Sequence, residues 1–477
     1  MPRRRIRVTG APEAPLRAAL AALRSELKIP EDFPPEVQEE AERAAKAPAP
    51  RSYDATDIPF FTLDPPASTD LDQATHLSRQ GTGYRVRYAI ADVAAFVVPG
   101  GALDAEAHRR VNTLYFPDGR IPLHPTVLSE GAASLLPGRT RPAVLWTIDL
   151  DAEGRTLAVD VRRALVRSRA KLDYARVQKE IDAGTAEEPV ALLKEIGEAR
   201  ERQETERGGI SLNVPEQQIT EQDHTYVLGY RAPLPADGWN AQVSLLTGMA
   251  AADLMLACGT GVLRTLPAAP DGAVARLRRT ATALHIDWPH HVSYAALIRT
   301  LDPHNTRHAA FLQECTTLLR GAGYTVFRDG VLPAITTHSA VAAPYTHCTA
   351  PLRRLADRYA SEICLAAAAG QATPGWVLAA LDALPRRMAD GSRIAGTVER
   401  ECVDIVEAAL LKDRVGEVFE GCVVDIDEHR PTVGTVQVDS PAVIGRIEGD
   451  RLPLGERLRV RLSRAEPGTT KILFTPA

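Results

Sequence analysis

Apolar residues change their spacing several times along this 477-residue chain, and each change marks a different kind of element. Leu16, Leu20, Leu23 and Leu27 recur every three or four positions, which predicts a helix over Pro15–Leu27. A second, alanine-bearing helical pattern spans Pro35–Lys46, and KIPEDFPP separates the two. Residues 1–50 therefore read as a small helical module, with Arg3, Arg4, Arg5 and Arg7 at its start and KAPAPRSYDA as the linker out of it. A nucleic-acid-binding unit and a docking element both fit it. Phe60–Leu63 is a short apolar, aromatic-rich run that fits a buried strand, and Pro65 and Pro66 halt it. From Tyr84 to Val98, Arg85 and Arg87 alternate with apolar neighbours before the run becomes continuously apolar, as in a strand entering a core. VLWTIDLDAEGRTLAVDV predicts two more strands joined by a turn at Asp151–Gly154. Val190–Arg207 is charged and helical, and Ala241–Leu263 is a long apolar helix. Leu352, Leu355, Tyr359 and Ile363 predict another helix, capped by Thr349 and opened by Pro351. After Gly416, short alternating strands punctuated by Gly and Pro have the sequence habit of an OB barrel.

Composition narrows the class. Hydrophobic residues make up 45% and charged residues 25%, which suits a globular protein too long for one core. No apolar run reaches membrane-spanning length and MPRRRIRVTG lacks the apolar core of a signal peptide, so the expected location is cytoplasmic, with no membrane partner. The six cysteines contain no CxxC pair, which argues against a zinc ribbon or a disulfide framework and for reduced thiols. With a formal net charge of −5, any grip on nucleic acid must come from local basic stripes.

Four stretches carry candidate chemistry. FFTLDPPASTDLDQA brings Asp64, Asp70 and Asp72 around one turn, and in an extended segment the last two carboxylates share a side. Crowded acids repel one another unless a cation offsets the cost, and hard oxygen donors select magnesium or manganese. A solvated, aspartate-rich turn is the alternative. In APYTHCTAPLRRLADRYASEICL, Arg353 and Arg354 fall in the first turn of the predicted helix, where the dipole disfavours cations. An anion bound there explains them, as does extension of both side chains into solvent. Arg457, Arg459 and Arg461 alternate with apolar residues in ERLRVRLSR, giving one basic strand face. Arg162, Arg163, Arg167, Arg169 and Lys171 form a denser run that fits either a phosphate track or a solvated face.

TLDPPASTDLDQA, IADVAAFVVPG, NTLYFPDGRIPLHP, AKLDYARV and TAPLRR together resemble the ribonuclease II family, and the likeness runs from about Asp57 to the C-terminus. The family's RNB domain carries an aspartate, five residues, an aspartate, one residue and two adjacent aspartates; Asp64, Asp70 and Asp72 match the first three, and Gln73 stands for the fourth. The resemblance implies an α+β fold: an RNB catalytic domain over 51–415, a mixed sheet surrounded by helices, then an OB-fold RNA-binding domain over 416–477. Residues 1–50 stand where the family usually has cold-shock barrels.

It further implies a hydrolytic 3′→5′ exoribonuclease that degrades single-stranded RNA to 5′-mononucleotides by metal-assisted in-line attack of water. Asp64, Asp70, Asp72 and Gln73 would hold magnesium, or manganese in its place, with one position weakened by the neutral Gln73. Asp72 is the residue expected to be most sensitive to substitution. Arg353 would stabilise charge on the scissile phosphate, with Asp357 orienting it or the helix, and Arg354 beside it would touch RNA. Tyr115 and Tyr174 match residues set against the bases, and Leu212 takes the place of a stacking phenylalanine. Leu246 and Thr247 stand where relatives carry two glutamates, so that helix is read as core. Asp92, from IADV, either supports the metal or pairs with an arginine. Arg457, Arg459 and Arg461 would feed the strand inward. A monomer suffices, and no protein partner is indicated. The alternative is an RNB scaffold that only binds RNA as a regulator, with Gln73 marking decayed catalysis.

Overall fold

The computed structural model describes residues 14–49, 53–214, 216–222, 225–319, 321–427, 429–438, 440–468 and 470–477; Arg3, Arg4, Arg5 and Arg7 lie outside them. Two helices come first, α1 (Ala14–Glu26) and α2 (Pro35–Lys46). The predicted stripe of Leu16, Leu20 and Leu23 is buried on α1.

A closed five-stranded barrel follows. Its strands are β1 (Phe60–Leu63), β2 (Gln73–Gln80), β3 (Gly83–Ala91), β6 (Thr140–Leu150) and β7 (Thr156–Leu172). Between β3 and β6 lie α3 (Ala102–Arg110) and a small hairpin of β4 (Leu114–Phe116) and β5 (Gly119–Ile121). Neighbours in the barrel run antiparallel except at the closure, where β1 lies parallel to β7 with a bulge between Phe60 and Phe61. The continuous apolar runs noted in the sequence arise because both faces of these strands are covered. Tyr88, Ile90, Val144 and Trp146 join one cluster, while the alternate residues Ala89, Ala91, Ala143 and Leu145 join another that includes Val37 of α2 and Leu103 of α3.

The first cluster is roofed by helices that come next: α4 (Tyr174–Asp182), α5 (Glu188–Glu206) and, beyond a hairpin of β8 (Glu216–Gln222) and β9 (Thr225–Arg231), α6 (Pro235–Cys258). α5 and α6 approach closely because Gly197 leaves room for Trp239; a Cβ there would stand 2.4 Å from the Trp239 Cβ. α6 is long and apolar enough by length and composition to cross a membrane, which corrects the sequence expectation. Here Trp239, Val243, Leu246 and Met255 bury it in the central cluster. It also ends earlier than expected, since Gly259 at φ 75° turns the chain and Gly261 starts β10 (Gly261–Thr265).

A helical region then runs through α7 (Asp271–Ala283), α8 (Tyr294–Arg299) and α9 (Thr306–Cys315) to β11 (Gly323–Phe327), which pairs with β10, and to the short pair β12 (Thr337–His338) and β13 (Ala343–Pro344). Three helices follow, α10 (Leu355–Ala368), α11 (Gly375–Leu381) and α12 (Leu384–Leu411). The chain ends in a second closed barrel of β14 (Val418–Asp427), β15 (Arg430–Val438), β16 (Val443–Glu448), β17 (Arg457–Glu466) and β18 (Thr470–Pro476). The α+β class and the C-terminal barrel are as expected. Val403 and Val406 of α12 share a buried cluster with Phe419 and Phe474 of this barrel, Leu20 of α1 and Phe116 of β4. One long helix thus ties the barrel, the N-terminal helix and the β4–β5 hairpin together. All six cysteines are free.

Candidate active site

β1 delivers Asp64 where it stops, and the loop that follows is fastened on both sides. The Asp64 N–H donates to the Leu172 carbonyl at 3.1 Å, and the Lys171 ammonium donates to the carbonyls of Pro66 and Ser68 at 2.5 and 2.6 Å. Across the loop, the Ser134 hydroxyl donates to the Thr69 carbonyl at 2.7 Å and accepts from the Leu71 N–H at 2.9 Å. Lys171 is therefore a clamp on the acidic loop. The rest of the basic run is dispersed too: Arg162 pairs with Asp160, and Arg169 donates to the Thr56 carbonyl. Arg163 bridges Asp92 and Glu362, which resolves Asp92 as an arginine partner.

Asp72 is almost wholly buried. One carboxylate oxygen accepts from the Leu352 N–H at 2.8 Å, and the other lies 2.9 Å from Arg353 Nε. Burial pushes its carboxyl up to about 7 although Arg353 opposes the shift. Asp64 is raised to about 6, again by burial first, with Arg353 opposing, Asp70 adding and Lys171 opposing. Asp70 faces Arg120 of β5 at 2.5 Å, and Arg120 also pairs with Glu130 at 2.8 Å. Gln73, the first residue of β2, donates its amide to the Thr349 carbonyl. Among the described residues no three His, Cys, Asp or Glu side chains stand in metal-holding geometry. Oδ2 of Asp64 nevertheless has no hydrogen-bond donor and Oδ2 of Asp72 has only its ion pair with Arg353, and hard oxygens of this kind fit a divalent cation.

The arginine segment differs from expectation. α10 begins at Leu355, so neither arginine lies in its first turn. Ala350 accepts from the N–H groups of Arg353 and Arg354 to form a turn, and Arg354 is extended, bridging to Asn112. The Thr113 N–H donates to the Arg353 carbonyl and the Leu355 N–H to the Val111 carbonyl, at 3.1 and 3.0 Å. Pairing with residues 111–113 overrides the capping pattern. Asp357 forks onto Arg354 at 3.0 and 2.8 Å and accepts from the Ala350 N–H at 2.7 Å; it orients Arg354 and the turn, while Arg353 is held by Asp72.

A cleft of about 1790 Å³ opens over this segment, and Tyr115, Leu212, Arg353 and Arg354 all line it. Tyr115 is close enough to Arg353 to favour its charged form. Arg120, Arg264 and Tyr324 line the cleft as well, and none was singled out by the sequence. Tyr324 bonds His347 Nδ1 at 2.6 Å, and burial holds the nearby His338 down to about 4, so that wall is aromatic and uncharged on its imidazole of His338 at neutral pH. The α5 wall carries Glu198, Glu201 and Glu204; burial, then those two neighbours, pushes Glu201 up to about 7.

Other expected residues fall elsewhere. Tyr174 is not among the residues that line the cleft: its hydroxyl donates to the Leu63 carbonyl at 3.2 Å and accepts from Asn240, and its ring packs on the central core, close enough to Asp64 to feel its charge. Leu246 and Thr247 are buried in α6, as a core helix requires. Arg457, Arg459 and Arg461 are exposed on β17 but line neither the cleft nor the second groove. That groove, about 790 Å³, is bordered by Arg276, Arg400, Arg446 and Lys471, which no spacing in the sequence links, and by Glu399, Asp404, Asp425 and Asp427, of which Asp425 pairs with Arg276 and Asp404 with Lys471. It joins the cleft at Val214, Gly396, Glu399 and Val403, which border both.

Residues 52–368 match the RNB domain family, and residues 417–477 match the RNase II-type exonuclease C-terminal S1 domain. Among curated relatives, Ribonuclease R of Aquifex aeolicus is 24% identical over 94% of this chain and 67% of its own length. Ribonuclease R of Escherichia coli is 26% identical over 92% of this chain, which spans 58% of that protein's length. Among solved structures, Mycoplasma genitalium RNase R in complex with ribose methylated single-stranded RNA superposes with a TM-score of 0.83 at 20% identity, over 97% of this chain and 78% of that one. Yeast Ssd1, described as a pseudonuclease, gives 0.70 at 14% identity, over 94% of this chain and 57% of its own.

Proposed function

The chain belongs to the RNB-domain family, and from that membership we propose that it is a hydrolytic exoribonuclease acting on single-stranded RNA from the 3′ end and releasing 5′-mononucleotides. The observation that carries the reading is the meeting of Asp72 and Arg353 beside the cleft, with Asp64 close enough to feel both Arg353 and Asp70. Asp64 and Asp72 are the side chains that would hold a magnesium or manganese ion. Bound there, the ion supplies the charge that activates water and steadies the phosphate for in-line attack.

The chain's own groups do the rest. Arg353, a third exposed, offers its guanidinium to the charge that grows on the phosphate, a contribution commonly worth several kcal/mol. Arg354, held by Asp357, adds a second fixed cation at the cleft wall. Tyr115 offers a ring to a terminal base. Leu212 fills volume but has no π-face, so it holds a base less tightly than an aromatic side chain does. Arg457, Arg459 and Arg461 on the exposed face of β17 would meet the incoming strand, since the groove beside the second barrel carries as many acids as cations, with Arg276 and Lys471 paired to Asp425 and Asp404. The division into 1–50, 51–415 and 416–477 is kept in this reading, as are a cytoplasmic location, for which the six free thiols speak, and a monomeric state.

A second reading, an RNA-binding regulator, draws on Gln73: its amide is spent on the Thr349 carbonyl, and it brings no charge to the acidic site. One experiment separates the two. End-labelled single-stranded RNA incubated with the protein and magnesium should shorten progressively and yield mononucleotides, and Asp72→Asn should stop it. A shifted complex holding intact RNA would instead favour the regulator.

A further inference from the structure

Among the described residues six arginines line the cleft, and five of them are answered from within the protein. Arg353 meets Asp72, Arg354 meets Asp357, and Arg120 meets Asp70 and Glu130. Arg299 directs its guanidinium to the carbonyls of Ala295 and Gly209, and Arg202 is near enough to Glu201 to act on its charge. Arg264 differs: among the described residues neither a carboxylate nor a carbonyl holds its side chain. Its guanidinium lies over the Tyr324 ring, 4.7 Å from the centroid, because the two residues are direct partners in the pairing of β10 with β11. The Arg264 N–H donates to the Tyr345 carbonyl at 2.8 Å, the Thr346 N–H to the Gly248 carbonyl at 3.1 Å, and the Thr346 hydroxyl to the Val262 carbonyl at 2.6 Å. β10 is thus fastened to the segment that runs on to Arg353 and Arg354.

Resting on the nuclease reading, we infer that Arg264 holds a phosphodiester of the RNA strand on the 5′ side of the scissile one, with Tyr324 as the platform that keeps its guanidinium aimed. A guanidinium stacked on a ring keeps its N–H edge free, and that edge suits two phosphate oxygens. The surroundings call for an anion. Burial works against the charge of Arg264, Tyr324 offsets part of this, and the Arg354 guanidinium adds to it. The imidazoles of His338 and His347 beside it are held in the neutral form by burial, so they bring no countercharge. On α5, Glu198, Glu201 and Glu204 border the same cleft and repel phosphate, which leaves the β10–β11 wall for the backbone of the strand. The side of the strand follows from the product. Release of a mononucleotide from a 3′ end breaks the last linkage, so every other linkage in the bound strand lies 5′ of it. The charged and titratable neighbours of Arg264 are Tyr324, Arg354 and Tyr345, not the aspartates that meet the scissile linkage.

The salt dependence of binding separates a phosphate contact from a packing role. Unlabelled RNA with a 5′-hydroxyl is titrated into the full chain by calorimetry, in EDTA to withhold the metal, at several salt concentrations. For an eight-nucleotide strand, Arg264→Gln should weaken binding about tenfold and lower the slope of log Kd against log salt by about 0.7, the share of one phosphate contact on a single strand. Arg264→Lys keeps the charge and should keep the slope. A two-nucleotide RNA holds the scissile linkage alone, so it should bind the natural protein and Arg264→Gln alike. Circular dichroism reads folding. A folded Arg264→Gln with the natural slope overturns the inference, as does one that loses as much affinity for two nucleotides as for eight. Should Arg264→Gln fail to fold, the natural protein decides: no steepening of its slope between two nucleotides and eight overturns the inference too. A protein that shortens RNA in magnesium while Arg264→Gln keeps the natural slope removes this contact alone. One that shows the slope change yet never shortens RNA removes the nuclease reading while the contact stands.

Discussion

Arg353 Nε stands 2.9 Å from a carboxylate oxygen of Asp72, and the two are unequal in exposure: the acid is 1% exposed and the guanidinium 32%. The buried partner anchors the exposed one, so the arginine is fixed at its inner edge and open to the cleft at its outer one.

Arg353→Lys tests that arrangement. Lysine keeps the charge but loses the planar fork, and a compact ammonium does not reproduce the geometry. The turnover number should fall by about 10²- to 10³-fold. KM should change far less, and single-turnover shortening of end-labelled RNA reads the two separately.

Gly391 of α12 touches the segment that holds the arginine. A Cβ there would lie 2.7 Å from Val111 Cγ1 and 2.8 Å from Asn112 Nδ2, and Val111 is already in the left-handed region at φ 66°. Gly391→Ala should cost about 1–3 kcal/mol in urea unfolding, and it should also lower activity by moving residues 111–113 away from Arg353. Gly396→Ala, whose Cβ would meet only the end of Arg400 at 3.5 Å, should be neutral or stabilising by up to about 1 kcal/mol.

Arg163 is the counter-charge for two buried acids, Asp92 and Glu362. Arg163→Met should destabilise the protein by about 3–5 kcal/mol, because it leaves both carboxylates buried without their partner. Equilibrium unfolding in urea reads the loss directly. RNA affinity at a pH where the variant is folded should change little if this arginine has no part in a phosphate track.

His124 is buried and neutral, and burial, with Arg358 adding, holds it down to about 3. Its ordinary value is near 6.5, so between pH 6.5 and about 3 the unfolded chain takes up a proton that the folded chain refuses. Stability should therefore fall as pH drops through that window, by at most about 1.4 kcal/mol per unit from this residue. His124→Leu should flatten the slope of unfolding free energy between pH 6.5 and 4.5.

Much of the framework was legible before any coordinates. Apolar runs marked strands of the first barrel, because both of its faces are covered, alternation marked those of the second, and the repeated leucines of α1 reported a buried stripe. The meeting of the acidic loop with Arg353 followed from motif resemblance, since nothing in local spacing links the two. What local pattern suggested was lost where a distant partner intervened. Thr349 and Pro351 look like a helix start, but pairing of Arg354 with Asn112 holds the segment extended. Arg457, Arg459 and Arg461 do alternate on a strand, yet which side of a barrel faces the cleft is decided by its docking on α12. Arg120 escaped notice because its partner Asp70 is 50 residues away. Tyr174 kept its motif position, and its hydroxyl meets the Leu63 carbonyl one residue before Asp64.

The closure of the first barrel has one more consequence. β1 is only four residues long, carries a bulge, and is the strand whose parallel pairing with β7 shuts the ring just before Asp64. Because side chains alternate with a period of two, a shift of a single residue at that join would send the Asp64 carboxylate to the opposite face while leaving most of the ring intact. All four residues of β1 are buried, so the packing that shuts the ring is also what aims Asp64.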